Sequence, residues 1–290
     1  MGWIRTCWKT SFRFRMGVFI LLFFAILAAA GPLLYGPLLR GPEFNINPAS
    51  PGNFRRWMGW SAAHPLGTDG DGRDLMGAYL LGLATSLRIG FLSGVIATAI
   101  GTIVGFFAGY LGGWLDTILL TITNVLLIIP AYPILVVLVL YTPRITVETM
   151  ALILAVFAWP FAARTIRAQV LGMKERPYVD LARISGVSTS GIIFRELLPN
   201  LLPYLMVSLA FSTLGAMAAE VGLALIGLGP SNNLSLGLLI FFSRGVFSLG
   251  RYDVVLIPPL VLIALFTAIT LINLGMEEYL NPRLQNVTGR

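Results

Sequence analysis

Six blocks of the chain, residues 16–39, 89–110, 118–141, 149–165, 201–228 and 254–274, run almost without charge. Each is close to the roughly 20 apolar residues that a helix needs to cross a hydrocarbon layer about 30 Å thick. In lipid the backbone must satisfy its own hydrogen bonds, so blocks of this kind commit the chain to helices. The expected fold class is all-α, a polytopic membrane protein with about six transmembrane helices. The fourth block is the shortest and closes on Trp159-Pro160. A further apolar stretch, 234–242, is too short to cross and reads as an interfacial or re-entrant piece packed on protein.

Composition removes the soluble alternatives. Hydrophobic residues make up 57% of the chain and charged residues 11%, where a soluble domain carries about 25% charged residues. The net charge is +7, but the arginines are scattered between apolar blocks and not interleaved with aromatics on one face. The lipid bilayer is therefore the expected partner and nucleic acid is not. One cysteine, Cys7, and one histidine, His64, leave no disulfide framework and no Cys/His cluster with metal-ligand spacing. The first block is longer than a signal core of roughly 7–15 residues and reads as a retained span.

Six spans place both termini on one side, and basic residues choose the side. Arg5, Lys9, Arg13 and Arg15 precede the first span; Arg164, Arg167, Lys174, Arg176, Arg183 and Arg195 lie between the fourth and fifth; Arg283 and Arg290 follow the last. The opposite side carries Arg40, Arg55, Arg56, Arg73, Arg144, Arg244 and Arg251, with Arg88 at a boundary. The larger set predicts cytoplasmic termini and a cytoplasmic 166–200 segment. Within the spans, Gly101, Gly105, Gly109 and Gly113 recur at every fourth position and predict a face of close helix packing. Pro130 and Pro133, and later Pro258-Pro259, are expected to break the backbone ladder where the freed carbonyls face protein or a water-filled path.

The 174–200 segment reads KERPYVDLARISGVSTSGIIFRELLPN. Pro177 suits a first helical turn and Gly186 the position just past a helix end. The helix between them, about 177–185, is roughly 13 Å long at 1.5 Å per residue. So short a helix is marginal alone in water and suits insertion into a groove on another protein. Ser188 is placed to cap a second short helix reaching Leu197-Leu198, with Pro199 opening the fifth span.

Asp180-Leu181-Ala182, three residues, Gly186 and then Leu198-Pro199 resemble the EAA loop of permease subunits of bacterial and archaeal ABC importers, with Asp in place of Glu and Leu in place of the first Ala. His64-Pro-Leu-Gly67-Thr68-Asp69-Gly-Asp71-Gly72-Arg73-Asp74, followed by Ser86-Leu87-Arg88-Ile89-Gly90, resembles the "LGTD…GRD…SLRIG" signature of the C-type permease in the dipeptide/oligopeptide/nickel importer family. Glu220 with Gly227-Leu228-Gly229, and Asn281-Pro282-Arg283-Leu284, fit the same family. The likeness runs from about residue 60 to the C-terminus.

The resemblance implies a type I importer permease fold in the plasma membrane of a bacterium or archaeon. It divides the chain into a cytoplasmic tail (1–15), a first transmembrane helix (16–39), an external loop (40–88), a permease core (89–276) containing the coupling segment 166–200, and a second cytoplasmic tail (277–290). It also implies a second, homologous permease subunit, two ATP-binding subunits and an extracytoplasmic solute-binding protein. Tyr178, Asp180, Leu181, Ala182, Arg183, Gly186, Leu198 and Pro199 would form the contact with an ATPase. The chain contains no G-x-x-x-x-G-K-[ST] loop, so ATP and Mg belong to the partner subunits. No enzyme activity, catalytic residue, metal site or cofactor is expected on this chain.

Four other features bear on function. His64 and Asp69 have the spacing of an acyltransferase His/Asp pair, but no orienting partner or substrate pocket accompanies them. Gly67, Thr68, Asp69, Gly72, Arg73 and Asp74 read as an ion-paired, turn-rich loop cap rather than a cation site. Glu220, a carboxylate inside a span, calls for a partner; an arginine on the companion subunit is the first reading, with gating or substrate contact as the other. Asn124 reads as interhelical glue. Di- or oligopeptides, oligosaccharides and nickel all stay open as cargo. A secondary transporter driven by an ion gradient is the alternative class, and it would need midplane ionisable residues and internal repeats.

Overall fold

The computed structural model describes residues 2–39, 54–231, 233–244, 250 and 252–280. These are helical apart from turns and one isolated antiparallel bridge between Thr68 and Asp74. Five helices are long and apolar enough to span, and a bent pair brings the number to six. The tail motif Asn281-Pro282-Arg283-Leu284 lies outside the described residues.

The 1–15 segment is more than a tail. It forms a short helix, α1 (Gly2–Thr10), and the start of α2 (Phe12–Leu39). The first span lies at the edge of the bundle, against α11 (Tyr252–Leu280) and α3 (Leu75–Leu111), with Phe19, Phe23 and Ile26 turned outward. At the other end of the chain α11 runs to Leu280, so residues 277–280 complete a helix that the sequence had divided.

The second span starts well before the expected Ile89. Asp74 caps α3 by accepting the Gly77 N–H at 2.9 Å, and residues 75–88, assigned to the external loop, form its first turns. Arg88 interrupts the apolar run and hides this from a hydropathy scan. Its guanidinium lies 2.5 Å from Glu148 at the head of α6 (Val147–Lys174). At 37 residues α3 is the longest helix among the described residues, and α6, α9 (Leu198–Ala224) and α10 (Leu236–Ser243) all pack on it.

The glycine stripe explains the closest of these packings. A Cβ on Gly101 would meet the Ala162 Cβ at 2.6 Å, and one on Gly105 the Ala163 carbonyl at 2.5 Å. One on Gly109 would meet the Arg167 carbonyl at 3.0 Å. The backbones of α3 and α6 approach as closely as they do because these positions carry no side chain. Gly113 departs from the stripe. It has φ +62 beside Gly112 at φ +69 and makes the turn into α4 (Gly113–Ile128), with open space around it.

The third span, expected as one helix over 118–141, is two: α4 and α5 (Ala131–Tyr141) meet at 83°. Ile129 is extended (ψ 129), the conformation that a following proline favours, and Pro130 is the N-cap of α5. Pro133 falls in the first turn of α5, where an absent N–H costs nothing. One proline makes the break, not two.

The fourth span is longer than 149–165. α6 carries on through Pro160 to Lys174, because Ile166 and Val170 are buried and hold its lower half in the core. Pro258-Pro259 lie inside α11 without ending it. Pro258 has no N–H to give the Val254 carbonyl, and the Tyr79 hydroxyl of α3 donates to that carbonyl at 3.0 Å instead. The freed group therefore faces protein.

Candidate functional site

The 174–200 segment lies beneath the bundle, at the end where α6 and α11 finish. α7 (Pro177–Ile184) has Pro177 in its first turn. Val179 is fully buried among Ile166, Val170, Ile192 and Leu197, with Tyr178 and Ala182 packed partly against the same cluster. One face of the helix is thus pinned to the core. Burial pushes the Tyr178 hydroxyl above its ordinary pKa. The opposite face is bare, with Leu181 66% and Ile184 85% exposed.

Gly186 ends the helix with φ +76. Its N–H donates to the Arg183 carbonyl at 3.1 Å, and the Val187 N–H donates to the Ala182 carbonyl at 3.1 Å. These two bonds form a Schellman cap, which satisfies the last carbonyls. No atom stands within 4 Å of a Cβ at Gly186, so glycine is required there for its backbone angle and not for space. Asp180 and Arg183 pair at 3.3 Å on the exposed side.

Ser188 caps the next turn by accepting the Gly191 N–H at 3.2 Å. The second short helix and the fifth span are not separate, however. α8 (Thr189–Gly191) passes through a wider π-helical stretch, Ile192–Leu197, straight into α9, so Leu198-Pro199 lies within one continuous rod. Pro199 cannot donate a backbone bond, and the Leu198 N–H reaches back five residues to the Ile193 carbonyl. Exposed Val187 and Phe194, with Ser188 and Arg195, line an open hollow of about 460 Å³ beside α7.

Asp116, which belongs to none of the motifs above, ties this region to the bent span. Arg167 of α6 holds Asp116 of α4 through two hydrogen bonds of 2.6 Å. Lys174 donates to the Gly109 carbonyl at 3.0 Å. Asp116 is the only carboxylate between Asp74 and Glu148, and that isolation was the available signal.

At the other end of α3, the 64–74 motif folds into a closed knot. The Asp74 carboxyl accepts from the Tyr35 hydroxyl at 2.9 Å and from the Gly77 N–H, and it meets His64 Nδ1 at 2.7 Å. His64 therefore partners Asp74, not Asp69, because Gly67 (φ +77) turns the chain back. Thr68 donates to the Arg55 carbonyl at 2.7 Å and accepts the Met58 N–H at 2.8 Å. Asp69 accepts the Asp71 and Arg73 N–H groups, and Arg73 pairs with Asp71 at 3.0 Å and lies over the Phe242 ring at 5.2 Å. Burial raises the Asp69 pKa despite the Arg73 backbone and guanidinium groups, which pull it down. Gly72 has φ +76. A cavity of about 200 Å³ beside the knot is lined by Trp57, Asp69, Tyr79 and Phe242 among others.

Glu220 is fully buried in α9. Its Oε2 receives the Ser86 hydroxyl at 3.4 Å, and Ser86 in turn accepts the Leu236 N–H at 3.0 Å. Glu220 thus joins α3, α9 and the head of α10, while its Oε1 has no hydrogen-bond partner among the described residues. The expected partner was an arginine of the companion subunit; within this chain the carboxylate is enclosed by its own helices and its hydrogen-bonding neighbour is Ser86. Asn124 is half-buried on α4 and makes no hydrogen bond among the described residues.

A polytopic helical bundle with a short helix clamped beneath it, bare on its outer face, defines a membrane subunit built to work with a partner. Residues 101–286 match the family described as "Binding-protein-dependent transport system inner membrane component", and the chain belongs to this family. It is 32% identical to the oligopeptide transport system permease protein OppC of Mycobacterium tuberculosis over 225 residues, 76% of each chain. It is 31% identical to a peptide transport system permease protein of Brucella suis over 274 residues, which cover 94% of this chain and 88% of the relative. Among solved structures, a chain of the inward-facing MetNI methionine ABC transporter matches with a TM-score of 0.52 and 22% identity, over 72% of this chain and 95% of that one. The fold is that of an ABC importer permease.

Proposed function

We propose that this chain is one of two membrane subunits through which an ATP-driven importer moves di- or oligopeptides, and that α7 is its contact with a separate ATPase. The observation that carries the reading is the division of α7. Val179 anchors it to the core, while Leu181 and Ile184 are left in water on an eight-residue helix. A fully buried Leu or Ile is worth roughly 1.5–3 kcal/mol relative to an exposed one, so this face gains most by entering an apolar cleft.

Coupling follows from linkage. ATP draws the two ATPase subunits together, the seated helices move with them, and the inward- and outward-facing populations shift by the difference in binding free energy. Arg167 and Asp116 give the motion a path from α6, directly above α7, to the bent α4–α5 span. ATP and Mg stay on the partner subunits, and an extracytoplasmic binding protein delivers cargo to the face bearing the knot. The basic residues of α1, of the first turn of α2 and around α7 support a cytoplasmic location for the N-terminus and α7. Peptide as cargo rests on the relatives named above.

The test is co-purification. The double substitution Leu181→Asp/Ile184→Asp should leave the chain inserted and paired with its companion permease, yet weaken ATPase association roughly 100-fold or more, from two lost burials. Undiminished ATPase recovery with that variant would remove the assignment.

A further inference from the structure

Neither the permease reading nor the span pattern makes use of α1. Its i, i+4 pairs divide the helix into sectors about 100° apart. Trp3 and Cys7 face the bundle, packed with Phe14, Val207, Ile272 and Met276 near the end of α11. Ile4 and Trp8 are exposed on the next sector, and the Trp8 ring centre lies 5.6 Å from that of Phe19 on the outer face of α2. Residues that far apart in a straight helix are separated by about 16 Å, so the chain bends at Ser11 and brings α1 beside the start of the first span. Arg5 and Lys9 occupy the third sector, exposed.

The cations around this element are unmatched. Arg13 is taken by Glu278 of α11 at 2.9 Å and the Arg15 guanidinium lies 6.0 Å from the Phe12 ring, but Arg5 and Lys9, both exposed, have no ion-pair partner among the described residues. A soluble protein partner does not fit the apolar sector. Ile4 and Trp8 continue along Phe12 into the exposed row of Phe19 and Phe23 on α2, which must face acyl chains. A helix with one flank on protein, one in the acyl boundary and a cationic rim has the form of an interfacial element.

We propose that α1 lies in the plane of the leaflet on the α7 side, and that Arg5 and Lys9 bind the phosphates of anionic phospholipids. The acyl boundary receives Ile4 and Trp8, and the anionic headgroups supply the acceptors that the chain lacks. Each basic residue near an anionic surface strengthens binding roughly fivefold.

The experiment is native mass spectrometry of the full-length chain, with the subunits that accompany it, titrated with phosphatidylglycerol in detergent. Wild type should retain phosphatidylglycerol that Arg5→Gln/Lys9→Gln holds roughly 25-fold more weakly, with phosphatidylcholine binding equal in both. Arg5→Lys should bind as wild type, which separates loss of charge from loss of fold. Equal phosphatidylglycerol retention by wild type and the double variant overturns the proposal. So does loss of a protein subunit from the double variant with lipid retention unchanged. Either failure leaves the α7 assignment standing, since neither residue touches α7.

Discussion

The knot at 64–74 and the helix α7 at the opposite end of the bundle use the same backbone device. Gly67 (φ +77) and Gly186 (φ +76) each turn the chain through the left-handed region. What the side chains do next is opposite. In the knot the polar groups turn inward and find one another, with Thr68 and Asp74 buried and bonded. In α7 the polar pair is exposed and two large apolar side chains are bare. A segment that satisfies its own polar groups is finished as folded, whereas one that exposes apolar groups is completed by something else. Two motifs that carry the same family likeness therefore have different work: the first fixes the start of α3, and the second offers a surface.

The sharpest way to break this contrast is to remove the centre of the knot. Asp74→Ala leaves the Tyr35 hydroxyl, the Gly77 N–H and His64 without their shared acceptor, and stranded buried donors cost on the order of 3 kcal/mol together. The expected outcome is a lower melting temperature of the purified chain in detergent, and less chain in the membrane, with ATPase recovery per folded chain unchanged. Asp74→Asn, which retains an oxygen for the helix cap, should recover about half of the loss. A variant that melts normally but fails to support uptake would give the knot a direct role in transport and collapse the distinction.

How far each region could be read from sequence follows the range of its interactions. α7 was legible because Pro177 and Gly186 are local signals. The knot was half legible. Its glycines and carboxylates predict a paired loop, but spacing does not show which carboxylate His64 meets. The chain reversal that delivers Asp74, and Tyr35 arriving from another helix, are tertiary facts. The start of α3 was hidden by Arg88, which a hydropathy scan treats as an end and the fold pairs with Glu148. α1 is hard to read from sequence because Arg5 and Lys9 interrupt its apolar residues, which line up only at i, i+4 spacing. The Glu220 site was legible as a buried carboxylate, but its neighbours Ser86 and Leu236 lie far off in sequence.

A smaller effect sharpens the comparison from the other side. At Gly186 a Cβ has room and lacks only a suitable backbone angle, so Gly186→Ala should cost about 1–2 kcal/mol, all of it at the end of α7. The melting temperature should hardly move, because so little of the core depends on that cap. ATP hydrolysis stimulated by cargo should fall, since the helix frays at the end carrying Ile184. Gly186→Asn, which tolerates the left-handed region better, should lie between alanine and wild type. Gly67→Ala should behave differently, because a Cβ there collides with the Met58 carbonyl and lowers stability itself.

The smallest effect concerns charge. Asp180 and Arg183 form the one ion pair on α7, at 3.3 Å and with both side chains about half exposed. Exposed pairs of this kind contribute roughly 0.2–1 kcal/mol or less, so neither the shape of α7 nor its grip on a cleft can depend much on this bridge as it stands in the free chain. Asp180→Asn should leave the melting temperature unchanged. If the docking surface is the apolar pair, ATPase recovery and stimulated hydrolysis in that variant should stay within about twofold of wild type, at low and high salt alike. A loss of tenfold or more that deepens at low salt would mean that the partner reads the carboxylate directly. The contrast with the knot would then be one of charge exposed against charge paired, and Leu181 and Ile184 would be its frame.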